Sequence, residues 1–231
     1  MNWKVLTTGL AFPEGPVALP DGSLLVVEIA GGRLTRVTAD GAQTVIGETG
    51  GGPTGAAIGP DGAAYICNNG GLDWSHDEVR GWHNTGPLAD NPGGSIQRVD
   101  LVTGEVEDLF VASDSLPLSF PNDIVFDREG GYWFTDLGHN RPGTRIRDIG
   151  AVYYVAPGGA INQAIYPIVA PNGIGLSSDE RTLYVAETEG ARVWAFDLDA
   201  PGRVRPTAQP SPNAPPLRAA SRDPGSKRVC S

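Results

Sequence analysis

One outline recurs four times along the chain, and it restricts the fold more than any other feature. Segments beginning at Gly15, Gly55, Asn122 and Asn172 each read as a short alternating strand, a tight turn and a second alternating strand. The first runs to Val27 through Asp21-Gly22, and the second to Cys67 through Asp61-Gly62. The third runs to Phe134 through Asp127 and Gly130, and the fourth to Val185 through Ser177 and Asp179. A turn of the Asp-Gly type between alternating runs predicts a β-hairpin, because glycine tolerates the positive φ such turns require.

A second hairpin follows most of the copies. Its strands are Gly32–Val37 before the turn Ala39-Asp40-Gly41, Ser95–Asp100 before Thr103-Gly104, Gly150–Val155 before Pro157-Gly158-Gly159, and Arg192–Asp197. Four strands per unit, repeated, predict an all-β chain built as β-propeller blades, with about four blades present. A β-sandwich is the competing arrangement, and recurrence of the hairpin in register counts against it. The chain is rich in glycine (32) and proline (20) and only 19% charged, which suits short strands and tight turns.

Two stretches interrupt the repeat. Residues 72–94 have no strand alternation and read as a long loop, where Trp74, His76, Trp82 and His83 are either pocket-lining or ordinary loop packing. After Asp199 the pattern stops, which divides the chain into a partial propeller (1–199) and an irregular Pro/Arg-rich tail (200–231). The tail holds seven prolines and six Arg or Lys against Asp223 alone. A propeller must close its ring to protect its edges, so the tail is expected to be a truncated or misread end.

The net charge of −10 excludes non-specific nucleic-acid binding, which depends on basic patches. No apolar run approaches the ~20 residues of a membrane span, and the N-terminus has no basic stretch followed by an apolar one. A cytoplasmic protein is the expectation. Cys67 and Cys230 make neither a disulfide framework nor a zinc site, and Cys67, after Ala64-Tyr65-Ile66, is expected in the core.

The first strand of a propeller blade begins beside the central channel. Here those positions carry Pro13-Glu14-Gly15-Pro16, Pro121-Asn122-Asp123 and Pro171-Asn172-Gly173. One carboxylate and two amides, each preceded by proline, are oxygen donors suited to Ca2+ or another hard divalent cation. Each motif alone is also a common turn or surface pattern, and their repetition at equivalent points is what singles them out.

These pieces resemble the family of senescence marker protein, gluconolactonase and luciferin-regenerating enzyme, over about residues 5–199. The resemblance is carried by Phe12-Pro13-Glu14-Gly15-Pro16, by Tyr65 through Gly71, by Asn122 through Asp127 with Tyr132 through Asp136, by Ala170 through Ile174, and by Leu183 through Thr188. It is nearest the bacterial lactonase branch. It implies a six-bladed, calcium-dependent propeller hydrolase that opens a sugar lactone or related cyclic ester, with the ion polarising the carbonyl and a carboxylate taking a proton from water. It further implies metal ligation by Glu14, Asn122 and Asn172. The family's fourth ligand, a later aspartate usually credited with the base role, has no counterpart before Ser231. Asp123 is the second-tier catalytic candidate, and Asn68, Asn69 and Asp136 are candidate substrate contacts. A hydrolase of another ester, an inactive fragment and a non-catalytic propeller binding module are the competing readings.

Overall fold

The computed structural model describes residues 3–113, 116–138 and 150–206. It contains four four-stranded antiparallel sheets. The first comprises β1 (Pro13–Ala18), β2 (Leu24–Glu28), β3 (Arg33–Val37) and β4 (Gln43–Glu48) in sequence order. In the second, β5 (Pro53–Ile58) and β6 (Ala64–Asn68) are separated in sequence from their partner strands by β7 (Leu72–Asp77) and β8 (Gly81–Pro87). The sheet resumes with β9 (Ser95–Val99) and β10 (Val106–Phe110), and a two-stranded ribbon of β11 (Ala112–Ser113) and β12 (Leu116–Pro117) follows. The third is β13 (Pro121–Phe126), β14 (Tyr132–Asp136), β15 (Gly150–Val155) and β16 (Ile161–Ile168). The fourth is β17 (Pro171–Leu176), β18 (Thr182–Glu187), β19 (Arg192–Ala200) and β20 (Arg203–Val204).

The recurring turn closes the same way in every sheet. Leu19 N–H donates to the Ser23 carbonyl, Gly59 to Ala63, Asp127 to Gly131 and Ser177 to Thr182, all at 2.8–2.9 Å. Three copies place a glycine at positive φ in the turn (Gly22, Gly62, Gly130), whereas the fourth places Glu180 there at φ 57°.

Apolar side chains fill the spaces between consecutive sheets. Leu25, Val27 and Leu34 meet Ala64, Ile66 and Val99 between the first and second. Cys67 and Ile96 meet Ile124, Tyr132, Phe134 and Tyr153 between the second and third. Trp133, Val152 and Tyr154 meet Leu183, Val185 and Leu198 between the third and fourth. Fully burying each such side chain is worth about 1.5–3 kcal/mol, so the sheets stabilise one another rather than standing alone. Cys67 is buried as expected, and burial pushes its thiol well above the ordinary range. The first strands lie side by side, β5 touching β1 and β13, and β13 touching β17.

Two expectations need correction. Residues 72–94 are not a plain loop: β7 and β8 pair from Leu72↔Pro87 to Asp77↔Gly81. Leu72, Trp74 and His76 do alternate with Asp73, Ser75 and Asp77. That signal is easily passed over, because the half-buried face holds only Leu72 and Trp74 before His76 turns out exposed, and no Asp-Gly turn marks the tip. The fourth sheet also continues past Asp199, because the turn at Pro201-Gly202 (Gly202 φ 71°) returns the chain as β20. Arg205 then bonds back to Asp199 at 2.8 Å. Residues 207–231, and with them most of the expected tail, lie outside the described residues. Among the described residues no helix is long and apolar enough to cross a membrane.

Candidate functional site

Every first strand starts with a proline opposite the last residue of its second strand. The pairs are Pro13↔Glu28, Pro53↔Asn68, Pro121↔Asp136 and Pro171↔Glu187. In each case the register then shifts before pairing resumes at Val17, Gly55, Ile124 or Ile174. Proline has no N–H to give the ladder, and a bulge frees residues from it, so side chains there are available for other work. The unpaired residues after the proline are Thr54 in the second sheet, Asn122 and Asp123 in the third, and Asn172 with Gly173 in the fourth, whereas in the first sheet Glu14 still pairs with Val27 and the shift follows it at Gly15-Pro16.

Hydrogen bonds chain these irregular stretches from sheet to sheet. Thr54 Oγ1 donates to the Pro121 carbonyl at 3.0 Å, and Thr135 Oγ1 to the Asn172 carbonyl at 2.6 Å. Asp123 Oδ2 accepts from Ile174 N at 2.9 Å, and its Oδ1 accepts from Ile124 N. Packing is closest at Gly55, where a Cβ would fall 2.5 Å from the Asn122 carbonyl oxygen and 2.7 Å from Asp123 Cα. Only a residue without a side chain lets β5 approach β13 this closely.

The electrostatics bring the first and third sheets together. The Glu14 carboxyl is raised from its ordinary range, first by desolvation and then by the negative charge of Asp123. Asp123 is raised by its own burial, against which the Ile174 and Ile124 N–H bonds work. The second sheet's first strand lies between them: Gly55 packs against Asp123, and a Cβ at Gly15, next to Glu14, would fall 3.3 Å from Gly55 Cα, so both carboxyls stand beside the meeting line of the first strands. No cationic side chain figures among the causes of either shift. The carboxylate of Glu14 and the amides of Asn122 and Asn172 accept or donate no hydrogen bond to other described residues.

A cation fits this chemistry. Two carboxylates and two amide carbonyls are hard oxygen donors of the kind calcium takes, and a cation would relieve the repulsion that raises Glu14. Among the described residues no group of three His, Cys, Asp or Glu forms a metal site, so any ligation here needs the amides.

The other sequence candidates occupy the facing positions and hold backbone. Asn68 is saturated: Oδ1 accepts from Gly52 N and Gly70 N, while Nδ2 donates to the Gly50 carbonyl and Gln97 Oε1, all at 2.9–3.0 Å. Asp136 accepts from Ser119 N at 2.7 Å, Phe120 N at 2.8 Å and Gly138 N at 2.9 Å. Asn69 accepts from Gly71 N, and its Nδ2 is buried without a partner. Glu28 and Glu187, which sequence reading did not single out, stand at the same register position. Glu28 accepts from Ala11 N at 2.6 Å and from Arg33, and Glu187 accepts from Val169 N at 3.1 Å and from Trp194 Nε1 at 2.7 Å. The pattern of an acid or amide closing each second strand was visible in the sequence as Glu28, Asn68, Asp136 and Glu187.

Residues 12–212 match the family model described as the SMP-30/Gluconolactonase/LRE-like region. The chain belongs to this family. A lactonase drp35 from Staphylococcus saprophyticus is 29% identical over 77% of this chain and 48% of its own length. The chain thus spans about half the length of that curated relative. Among solved structures, a gluconolactonase from Xanthomonas campestris superposes with a TM-score of 0.65 at 24% identity, over 85% of this chain and 61% of its own. A calcium-binding regucalcin from Agrobacterium tumefaciens gives 0.63 at 22%, over 87% and 59%. These likenesses establish the all-β, propeller-type fold of the family.

Proposed function

We propose that this chain is a metal-dependent lactonase whose reaction centre is the set of first-strand starts bearing Glu14, Asn122, Asp123 and Asn172. The observation that carries the reading is the convergence of the first-strand starts on Gly55, which packs against Asp123 on one side and lies beside Gly15 on the other, next to two amides that no other described residue engages. The lactonase and gluconolactonase names of the relatives supply the substrate class, a small cyclic ester.

Glu14, Asn122 and Asn172 hold the cation, taken here as Ca2+ or another hard divalent ion. Such an ion supplies Lewis-acid polarisation of an ester carbonyl. The chain's own contribution is proton handling and orientation. Asp123 is fixed at both oxygens by the Ile124 and Ile174 N–H groups, and burial raises its affinity for a proton. A carboxylate with a raised pKa is a better base near neutral pH, so Asp123 takes the proton as water oxygen bonds to the carbonyl carbon. The ring C–O bond then breaks, the proton passes to the departing alkoxide oxygen, and a hydroxy acid leaves.

Titration calorimetry with CaCl2 and hydrolysis of a sugar lactone test the reading together. Glu14→Ala and Asn172→Ala are expected to weaken calcium binding and lactone turnover in parallel. Turnover unchanged in both variants overturns it.

A further inference from the structure

The β7–β8 hairpin has no counterpart in the first and fourth sheets, where the chain passes from second to third strand through residues 29–32 and 188–191. It leaves the second sheet next to Asn68, at the end where Pro53 and Thr54 lie, and returns at Ser95 opposite Asn68. Its base is pinned by Asn91, whose Nδ2 donates to the carbonyls of Asn69 at 3.1 Å and Gly71 at 2.8 Å. From that root it leans across to the segment preceding β1. Trp74 packs on Phe12 with ring centroids 4.7 Å apart, and His76 meets the Trp82 ring at 5.1 Å.

Between the hairpin and that segment lies a cavity of about 360 Å³, lined by Gly9, Leu10, Phe12, Pro13, His76, Gly81 and Trp82. Its size falls within the range of small-ligand sites, roughly 300–1,000 Å³. Apart from the His76 imidazole, the Trp82 indole N–H and backbone, the lining side chains are apolar. Trp82 keeps 37% and Phe12 41% of their surface exposed, so hairpin packing alone leaves both rings incompletely covered. One wall is Pro13, the residue covalently joined to Glu14.

We propose that this cavity is a specificity pocket for an apolar substituent on the lactone ring, with Trp82, Phe12 and His76 as its walls. The inference rests on the lactonase reading for the position of the reacting ring. Its content is separate: the chain selects alkyl-substituted over unsubstituted lactones, and a segment found in the second sheet makes the selection. An apolar pocket discriminates by the methylenes it buries, each worth a factor of 10 or more when the fit is close.

The test compares γ-butyrolactone with γ-octalactone, which adds a four-carbon chain to the same ring. Both are assayed for hydrolysis with calcium and for direct binding by calorimetry, using the full chain. The wild type is expected to favour γ-octalactone in kcat/KM and in Kd. Trp82→Ala is expected to lower that preference about tenfold, mainly through KM. Trp82→Phe keeps most of the preference, and Val79→Ala, at the exposed hairpin tip, keeps all of it. Hydrolysis of both lactones with equal kcat/KM, or a preference indifferent to Trp82→Ala, overturns the pocket and leaves the lactonase reading intact. Binding of γ-octalactone weakened by Trp82→Ala, with no hydrolysis of either ester, upholds the pocket and sinks the lactonase reading. Absence of both binding and hydrolysis overturns both.

Discussion

Two sets of polar residues face each other across the ends of the first strands, and they behave in opposite ways. Glu28, Asn68, Asp136 and Glu187 are all buried and bonded to the backbone just ahead of their sheet's first strand. Glu14, Asn122 and Asn172, displaced by one residue on the facing strand, make no such bonds. One set holds the chain where it enters each sheet, and the other is left free by the irregularity beside it. Similar residue types acquire different work because one set closes the second strands and the other follows the proline that opens the first strands, beside the register shift. Burying a polar group stabilises only where its partners are supplied, and the sequence of each sheet supplies them to one side alone.

Charge sharpens the contrast. Burial raises Glu28, but Arg33, the Ala11 N–H and Thr35 outweigh it, and its carboxyl sits below the ordinary range. Glu28 therefore adds stability above the unfolded glutamate pKa, and that contribution is lost as pH falls through its folded value. Glu14 and Asp123 are raised instead. Their contribution is complete below the unfolded carboxylate range and is lost as pH rises through their folded values.

The difference can be broken at several points. The largest expected effect is on catalysis: Asp123→Asn keeps the shape but not the base, and kcat in the lactone assay should fall at least about 100-fold. If kcat survives, the base is elsewhere. Next comes stability, where Glu28→Ala strands the Arg33 guanidinium and the Ala11 N–H; urea unfolding should register a loss of about 3 kcal/mol. Asn122→Ala should show the reverse signature, little change in the urea midpoint and a clear loss of thermal stabilisation by added calcium. The smallest effect is Glu14→Gln, which removes the repulsion with Asp123 and should raise the melting temperature slightly near neutral pH. That gain should vanish below the usual carboxylate range, and a gain independent of pH would mean the two groups do not interact.

Much of this was legible in the residues alone. The Asp-Gly turns announced the hairpins, and Pro13, Pro121 and Pro171 marked the starts of first strands because proline there is tolerated only where the ladder is interrupted. What the sequence could not separate was Asp123 from Asp136, or Asn172 from Asn68. All four are short polar residues next to strand ends, and their roles depend on which side of the register shift they fall. Pairing decides that, and pairing is a non-local property. The β7–β8 hairpin is hard to read for a different reason, since its half-buried face holds only Leu72 and Trp74 before the alternation breaks at the exposed His76.

Gly55 has a consequence for how substitutions across this protein will read. Alanine there would drive a methyl group into the Asn122 carbonyl and the Asp123 backbone, so the third sheet would have to retreat and carry its carboxylate with it. A scan scored only by turnover would rank Gly55 beside Asp123, the proposed proton acceptor, although a glycine offers no reagent. The distance over which the centre works is thus set by an atom the chain leaves out.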